Sequence, residues 1–387
     1  MQFIDLAAQQ KRIRKQIEEN IANTLDHGKY IMGPEVGQLE EKLKTYVAVK
    51  HAIACASGTD ALLLALMAEG VGAGDAIFTS PFTFIATAEV ISLLGATPIF
   101  VDIDPETFNI HPAKLQQAIT AVKTNDPSLH PLPNIDQHSP ITPKGVIAVD
   151  IFGLPADYEG INTLAEKHDL FVIEDAAQSF GAEYNGEKAC SLAEMACTSF
   201  FPAKPLGGYG DGGMCFTDDD RIAEIMGSLR MHGKGHHKYD NIRIGVNGRL
   251  DTVQAAILLA KFDIFPEEVE LRQRAAATYT DLLSGNNPAI ACPEIPAGYK
   301  SVWAQYSVLA NDHSQREIIQ TRLKDNNIPT AIYYPKPLHL QTAFASLKYG
   351  AGDFPVSEDI ANRIFSLPMH PYLSEEEQRN VADVIST

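Results

Sequence analysis

Short apolar runs and helix-length amphipathic stretches take turns along the first two thirds of the chain. Residues 52–55, 76–79, 98–102, 146–150, 171–174, 196–200 and 213–216 are compact apolar segments that read as strands. Between the early ones lie helical patterns at 60–69, 85–94 and 112–122, the last opening on Pro112, a residue suited to a helix's first turn. Strands alternating with helices predict a mostly parallel sheet covered on both faces. Ligands of such sheets bind beyond the carboxyl ends of the strands, where loops enter helices.

The pattern changes after Asp251. A long helical stretch at 253–284, broken at Pro266, is followed by a β-rich segment at 301–309 and then by helices with loops. Ser374-Glu375-Glu376-Glu377 is a capping-box signature that opens a last helix. This predicts a large domain over residues 1–250 and a smaller C-terminal α+β domain over 251–387. Two connections stand apart. Residues 123–145 are polar and hold five prolines, which suggests a surface excursion. Residues 233–248 combine glycines with Lys234, His236, His237, Lys238 and Arg243.

Charge narrows the function. A net charge of −18 disfavours nucleic acid as a partner, because phosphate backbones are bound through basic surface. No apolar run is long enough to span a bilayer and no signal peptide is visible, so the expected setting is the cytoplasm. The five cysteines are scattered without a CxxC pair, which suggests reduced buried thiols and no metal site.

Three segments could carry chemistry. Ala56-Ser57-Gly58-Thr59-Asp60 follows a strand and opens a helix, where free amides and a close-approaching glycine suit a phosphate; an ordinary N-cap would look the same. Phe171–Gln178 is an apolar strand ending in Glu174-Asp175. A charge pair there, at about 4 Å and an effective dielectric near 20, is worth ~4 kcal/mol. That is about three pKa units, enough to keep a weakly basic ring nitrogen protonated; a solvated loop acid is the alternative. Finally, Lys204 stands between Pro202 and Pro205, just ahead of Gly207-Gly208-Tyr209-Gly210. Rigid backbone around one amine suits a nucleophilic lysine, although a lone lysine is more often a solvated one.

Phosphate cradle, acid and lysine in that order on an α/β sheet meet the needs of pyridoxal phosphate (PLP). The motifs Ser57-Gly58-Thr59-Asp60-Ala61-Leu62, Glu174-Asp175-Ala176-Ala177-Gln178-Ser179 and Ser199-Phe200-Phe201-Pro202-Ala203-Lys204 resemble the DegT/DnrJ/EryC1/StrS sugar aminotransferases, PLP enzymes of fold type I with an aspartate-aminotransferase-like seven-stranded sheet. The likeness runs from Gly33-Pro34-Glu35-Val36 to Leu367-Pro368-Met369-His370-Pro371. It implies that Lys204 is joined covalently to PLP and carries the proton, that Asp175 pairs with the ring nitrogen, and that Gln178 reaches the ring hydroxyl. It further implies Gly58, Thr59 and Ser199 on the phosphate, Phe84 stacked on the ring, and Asn247 reaching the phosphate of a neighbouring subunit in a homodimer. Arg249 would meet the sugar or its carboxylate. His232 and Lys234 are candidates near a diphosphate, or part of a solvated loop.

The segment Asn247-Gly248-Arg249-Leu250-Asp251 resembles enzymes acting on UDP-2-acetamido-2-deoxy-3-keto-glucuronic acid, and Tyr333-Tyr334-Pro335 stands where that group has a His-Tyr-Pro near the sugar. The implied reaction is amination at the 3-position with glutamate as donor, in the synthesis of surface polysaccharide such as O-antigen. A 4-keto UDP-sugar aminotransferase is the enzymatic alternative, and a PLP-sensing regulator the non-enzymatic one.

Overall fold

Each of the seven apolar runs forms a strand, and the seven lie in one sheet. The structure is a computed structural model that describes residues 1–133, 141–237, 239–284 and 289–386. Helices α1 (Leu6–His27) and α2 (Pro34–Val47) lead into β1 (His51–Cys55) and α3 (Gly58–Ala68). There follow β2 (Asp75–Thr79), α4 (Ala86–Leu93), β3 (Thr97–Phe100), α5 (Pro112–Thr124) and β4 (Thr142–Val149). Next come α6 (Tyr158–His168), β5 (Phe171–Asp175), the short hairpin β6 (Glu183–Tyr184) and β7 (Glu187–Lys188), then β8 (Met195–Ser199), β9 (Gly213–Thr217) and α7 (Asp220–Leu229).

The sheet order is β1-β9-β8-β5-β4-β2-β3. The four pairings from β8 to β3 are parallel, and β9 is antiparallel to both its neighbours. Side-chain alternation explains why the strands are apolar throughout. Ile53, Ile147, Ile173 and Cys197 face α3 and α7, packing with Leu62, Leu66 and Met226. Their neighbours Ala54 and Ala196 turn to the other face and meet Leu39 and Leu258, while Ala148 and Val172 meet Leu115 and Ile161.

Beyond residue 251 the chain forms α8 (Thr252–Phe262), α9 (Phe265–Leu283), β10 (Ile290–Ala291), β11 (Tyr299–Lys300), β12 (Tyr306–Ala310), α10 (His313–Asp325), α11 (Pro355–Arg363), β13 (Ile364–Leu367) and α12 (Glu375–Ser386). Strands β10, β12 and β13 form an antiparallel sheet over a core containing Tyr279, Tyr306, Val308 and Phe365. The break before Pro266 and the capping box are both present: Ser374 Oγ accepts from Glu377 N at 3.2 Å, and Glu377 Oε2 accepts from Ser374 N at 3.0 Å.

Two expectations change. The proline-rich excursion is shorter than 123–145, because α5 continues to Thr124 and β4 begins at Thr142. Within it His130 is buried, its Nε2 2.7 Å from the Phe100 carbonyl oxygen, while residues 134–140 lie outside the described residues, as does Lys238 of the basic loop. The β-rich stretch 301–309 is strand only from Tyr306; Trp303 has a φ of 54°, left-handed backbone that interrupts an extended run.

Asp102, just past β3, binds the C-terminal part to the sheet. Its buried carboxylate accepts from Val356 N (3.0 Å), Ser357 N (2.9 Å) and Ser357 Oγ (2.7 Å) at the start of α11, where the helix dipole favours a negative charge. Asp102→Ala should therefore lower unfolding stability by about 3 kcal/mol in denaturant titration, since it strands buried donors; a loss under ~0.5 kcal/mol, the scale of an ordinary surface change, would show that the tie is incidental.

Candidate active site

The carboxyl ends of β1, β5 and β8 bring the three sequence motifs to one cleft. At the first, Ser57 caps α3: its Oγ accepts from Asp60 N at 3.0 Å. The hydroxyl is thus committed to the cap, and the amides of Gly58 and Thr59 are the ones left for a ligand at the helix N-terminus. A Cβ on Gly58 would lie 2.7 Å from the Ser199 Cβ, so only glycine lets the α3 turn sit this close to the end of β8. Gly58 and Ser199, far apart in sequence, therefore share one wall of the cleft.

At the end of β5, Asp175 is buried. Its Oδ2 accepts from Thr87 Oγ1 at 2.7 Å and its Oδ1 from Ala177 N at 3.2 Å. Thr87 in turn lies 3.2 Å from Thr83, hydroxyl to hydroxyl. Burial pushes the Asp175 carboxyl above its usual range; Thr87, the Ala177 amide and the Lys204 charge pull it back. Burial likewise lowers the Lys204 pKa, opposed by Asp175, which makes its amine easier to deprotonate. A buried carboxylate and an activated amine in electrostatic contact are what a protonated ring nitrogen and an imine-forming lysine require.

Gln178 is oriented by the backbone. Phe152 has a φ of 59° and Gly153 one of 95°, a left-handed pair that turns the Phe152 amide onto Gln178 Oε1 at 2.8 Å. With its oxygen engaged, Gln178 points its NH2 group the other way, where it donates to Tyr334 Oη at 3.3 Å. Tyr334 also stands near the Phe82 and Phe84 rings, with centroids 6.3 and 6.4 Å away. Phe84 is 55% exposed and Phe201, three residues before Lys204, is 52% exposed. Tyr333 packs on Phe3 and Tyr334.

The remaining candidates sit on the strap 231–251. It is pinned beside the turn that opens α3 by the Ala56 N–Gly248 O bond (3.0 Å) and a bridge between Cys55 and Arg249. Asn247 Oδ1 accepts twice from the Arg249 guanidinium, at 3.0 and 2.6 Å. His232 is exposed, and its backbone bonds go to Val246 and Asn241 within the strap, not to the Lys204 group.

Thr87 is the functional contact that sequence reading missed. A threonine on the apolar face of a helical pattern hints at a buried partner, but nothing local identifies that partner as Asp175, 88 positions later. The donor set as a whole fits PLP: free amides at a helix N-terminus, an acid for the ring nitrogen, an amide NH2 for the ring oxygen and one half-buried lysine.

Comparison with known proteins agrees. The sequence pattern of the DegT/DnrJ/EryC1/StrS aminotransferase family matches residues 11–386. The UDP-2-acetamido-2-deoxy-3-oxo-D-glucuronate aminotransferase of Pseudomonas aeruginosa is 48% identical over 373 residues, 96% of each chain. A DegT DnrJ EryC1 StrS aminotransferase from Brucella abortus superposes with a TM-score of 0.92 at 46% identity, covering 100% of this chain and 98% of the other. The Bacillus subtilis protein ntda, solved with bound cofactor PMP, gives a TM-score of 0.85 at 27% identity over 100% of this chain and 83% of its own.

Gly58→Ala should fill the cradle against Ser199. The dissociation constant for PLP, measured by equilibrium dialysis, is expected to rise about tenfold or more, equivalent to ~1.4 kcal/mol, with circular dichroism unchanged. Unaltered affinity would place the phosphate elsewhere.

Proposed function

Because the chain belongs to the DegT/DnrJ/EryC1/StrS aminotransferase family and is a PLP-dependent sugar aminotransferase, we propose that it aminates the 3-keto carbon of UDP-2-acetamido-2-deoxy-3-keto-glucuronic acid, with glutamate as donor. The observation that carries the reading is the buried Asp175 at the end of β5, held by Thr87 and the Ala177 amide, with Lys204 close enough to act on its charge. Bound PLP supplies an electron sink that acidifies the carbon attached to the nitrogen. Asp175, steadied by Thr87, holds a proton on the ring nitrogen and so keeps that sink effective. The Lys204 amine, made easier to deprotonate by burial, would take the proton from the donor's carbon and return one to the sugar carbon. Gly58, Thr59 and Ser199 bind the phosphate, and the NH2 group of Gln178 meets the ring oxygen.

For the sugar, Arg249 is the cation assigned to the uronate carboxylate, because a guanidinium binds a carboxylate through two parallel hydrogen bonds. Tyr333, Tyr334 and His232 complete the substrate side of the proposal. The acceptor position and the UDP group are supported by the name of the Pseudomonas aeruginosa relative. A homodimer is part of the same reading. Phe84 and Phe201 at the cleft, and Ile244, 90% exposed on the strap, are apolar surface that a second copy would cover, bringing its Asn247 to the phosphate. Among the described residues no helix is long and apolar enough to cross a membrane.

Turnover of matched 3-keto and 4-keto UDP-sugars with glutamate, read by mass spectrometry, tests the proposal. We expect a preference for the 3-keto uronic acid of about 100-fold or more, and Arg249→Ala should raise its KM about tenfold while leaving a neutral 3-keto sugar nearly unaffected. Preferential amination of the 4-keto sugar would overturn it.

A further inference from the structure

Behind Asp175, on the opposite face of β5, lies a second acid that the chemistry above does not use. Glu174 is fully buried, and so is Asp150 at the end of the adjoining strand β4. The strand ends are joined, since Asp150 N donates to the Asp175 carbonyl at 3.1 Å. Glu174 accepts from Cys190 N through Oε1 (2.6 Å) and from Leu192 N through Oε2 (3.0 Å). Asp150 accepts from Ala156 N and Tyr158 Oη through Oδ1, both at 2.9 Å, and from Ser179 Oγ through Oδ2 at 2.6 Å. Strand register pairs Ala148 with Glu174 and Val149 with Asp175, which sets Asp150 and Glu174 on the same face of adjoining strands.

The titratable groups facing them are Tyr158 from α6, Cys190 from the loop after β7, and Tyr299 of β11. None is a cation, and among the described residues neither acid has an ion-pair partner. Five donors satisfy part of the charge, yet two adjacent full charges with no counter-ion cannot both persist in a fully buried site. Two carboxyl groups that share one proton resolve the conflict.

We propose that Asp150 and Glu174 hold a single shared proton and serve as a positioning pair: their hydrogen bond fixes the ends of β4 and β5, so that Asp175 stands as the acid that meets the ring nitrogen. Burial raises the proton affinity of both acids, that of Asp150 to a pKa of about 7. The sign follows. As pH rises the shared proton leaves, the pair becomes doubly negative, and repulsion loosens the frame that aims Asp175. The inference rests on the proposed role of Asp175, but the proton itself can be observed without turnover.

Infrared spectroscopy of the holoenzyme carrying 13C-labelled Asp and Glu reads it directly. In wild type at pH 6 we expect a protonated-carboxyl stretch that moves with the label, weakens as pH is raised, and is absent in Asp150→Asn, whose amide N–H takes the place of the proton. No such band in wild type, or a band that survives Asp150→Asn unchanged, overturns the proposal. For positioning, Asp150→Ala should lower kcat about tenfold or more with KM changed less than about threefold, and Asp150→Asn should recover most of the loss, because it leaves Glu174 a partner. If Asp150→Ala does not fold, the wild-type band and the Asp150→Asn spectrum still decide. If the band behaves as expected but Asp150→Asn fails to exceed Asp150→Ala in kcat, the positioning role is wrong.

Discussion

The site is organised by a carboxylate that has been taken out of water. Asp175 ends a strand buried on both faces, and a charge in that position persists only with donors and a nearby cation. Thr87, the Ala177 amide and Lys204 supply them. Each fixes another part of the molecule: Thr87 places α4 and with it Phe84, Ala177 sets the turn that aims Gln178, and Lys204 requires β8 to end next to β5. The turn that opens α3 then falls opposite Ser199, because β1 reaches β8 through β9.

This constraint explains why the remaining chain is arranged around the same edge. Asp102, one strand over, anchors α11, and Leu338 N donates to the Pro81 carbonyl at 2.8 Å beside the loop that carries Phe84. The segment holding Tyr333 and Tyr334 is thereby held over the cleft by contacts with the sheet's own loops. Tyr334 and Gln178 thus belong to one packed unit, joined by their hydrogen bond.

Much of this was legible in the sequence, for a physical reason. Strands buried on both faces must be continuously apolar, so all seven showed as runs, and Lys204, Asp175 and Gly58 each sit next to such a run. Other features were hidden because they depend on contacts between distant residues. The segment at Ser57 suited either a phosphate turn or an ordinary cap, and the cap bond itself, from the Asp60 amide 3.0 Å away, shows only in the fold. The partnership of Thr87 with Asp175 joins a helix to a distant strand, so no local pattern reveals it. The hairpin of β6 and β7, two residues to a strand, was too short to leave a periodic signal.

The claim on which everything turns is that one amine, at position 204, joins the cofactor while the acid at 175 faces the far side of its ring. Borohydride reduction of the PLP-loaded protein, followed by peptide mapping, tests it most directly. The account predicts a single pyridoxyl label on the peptide containing Lys204, and none in Lys204→Ala. A label on another lysine, or no label at all, would contradict it.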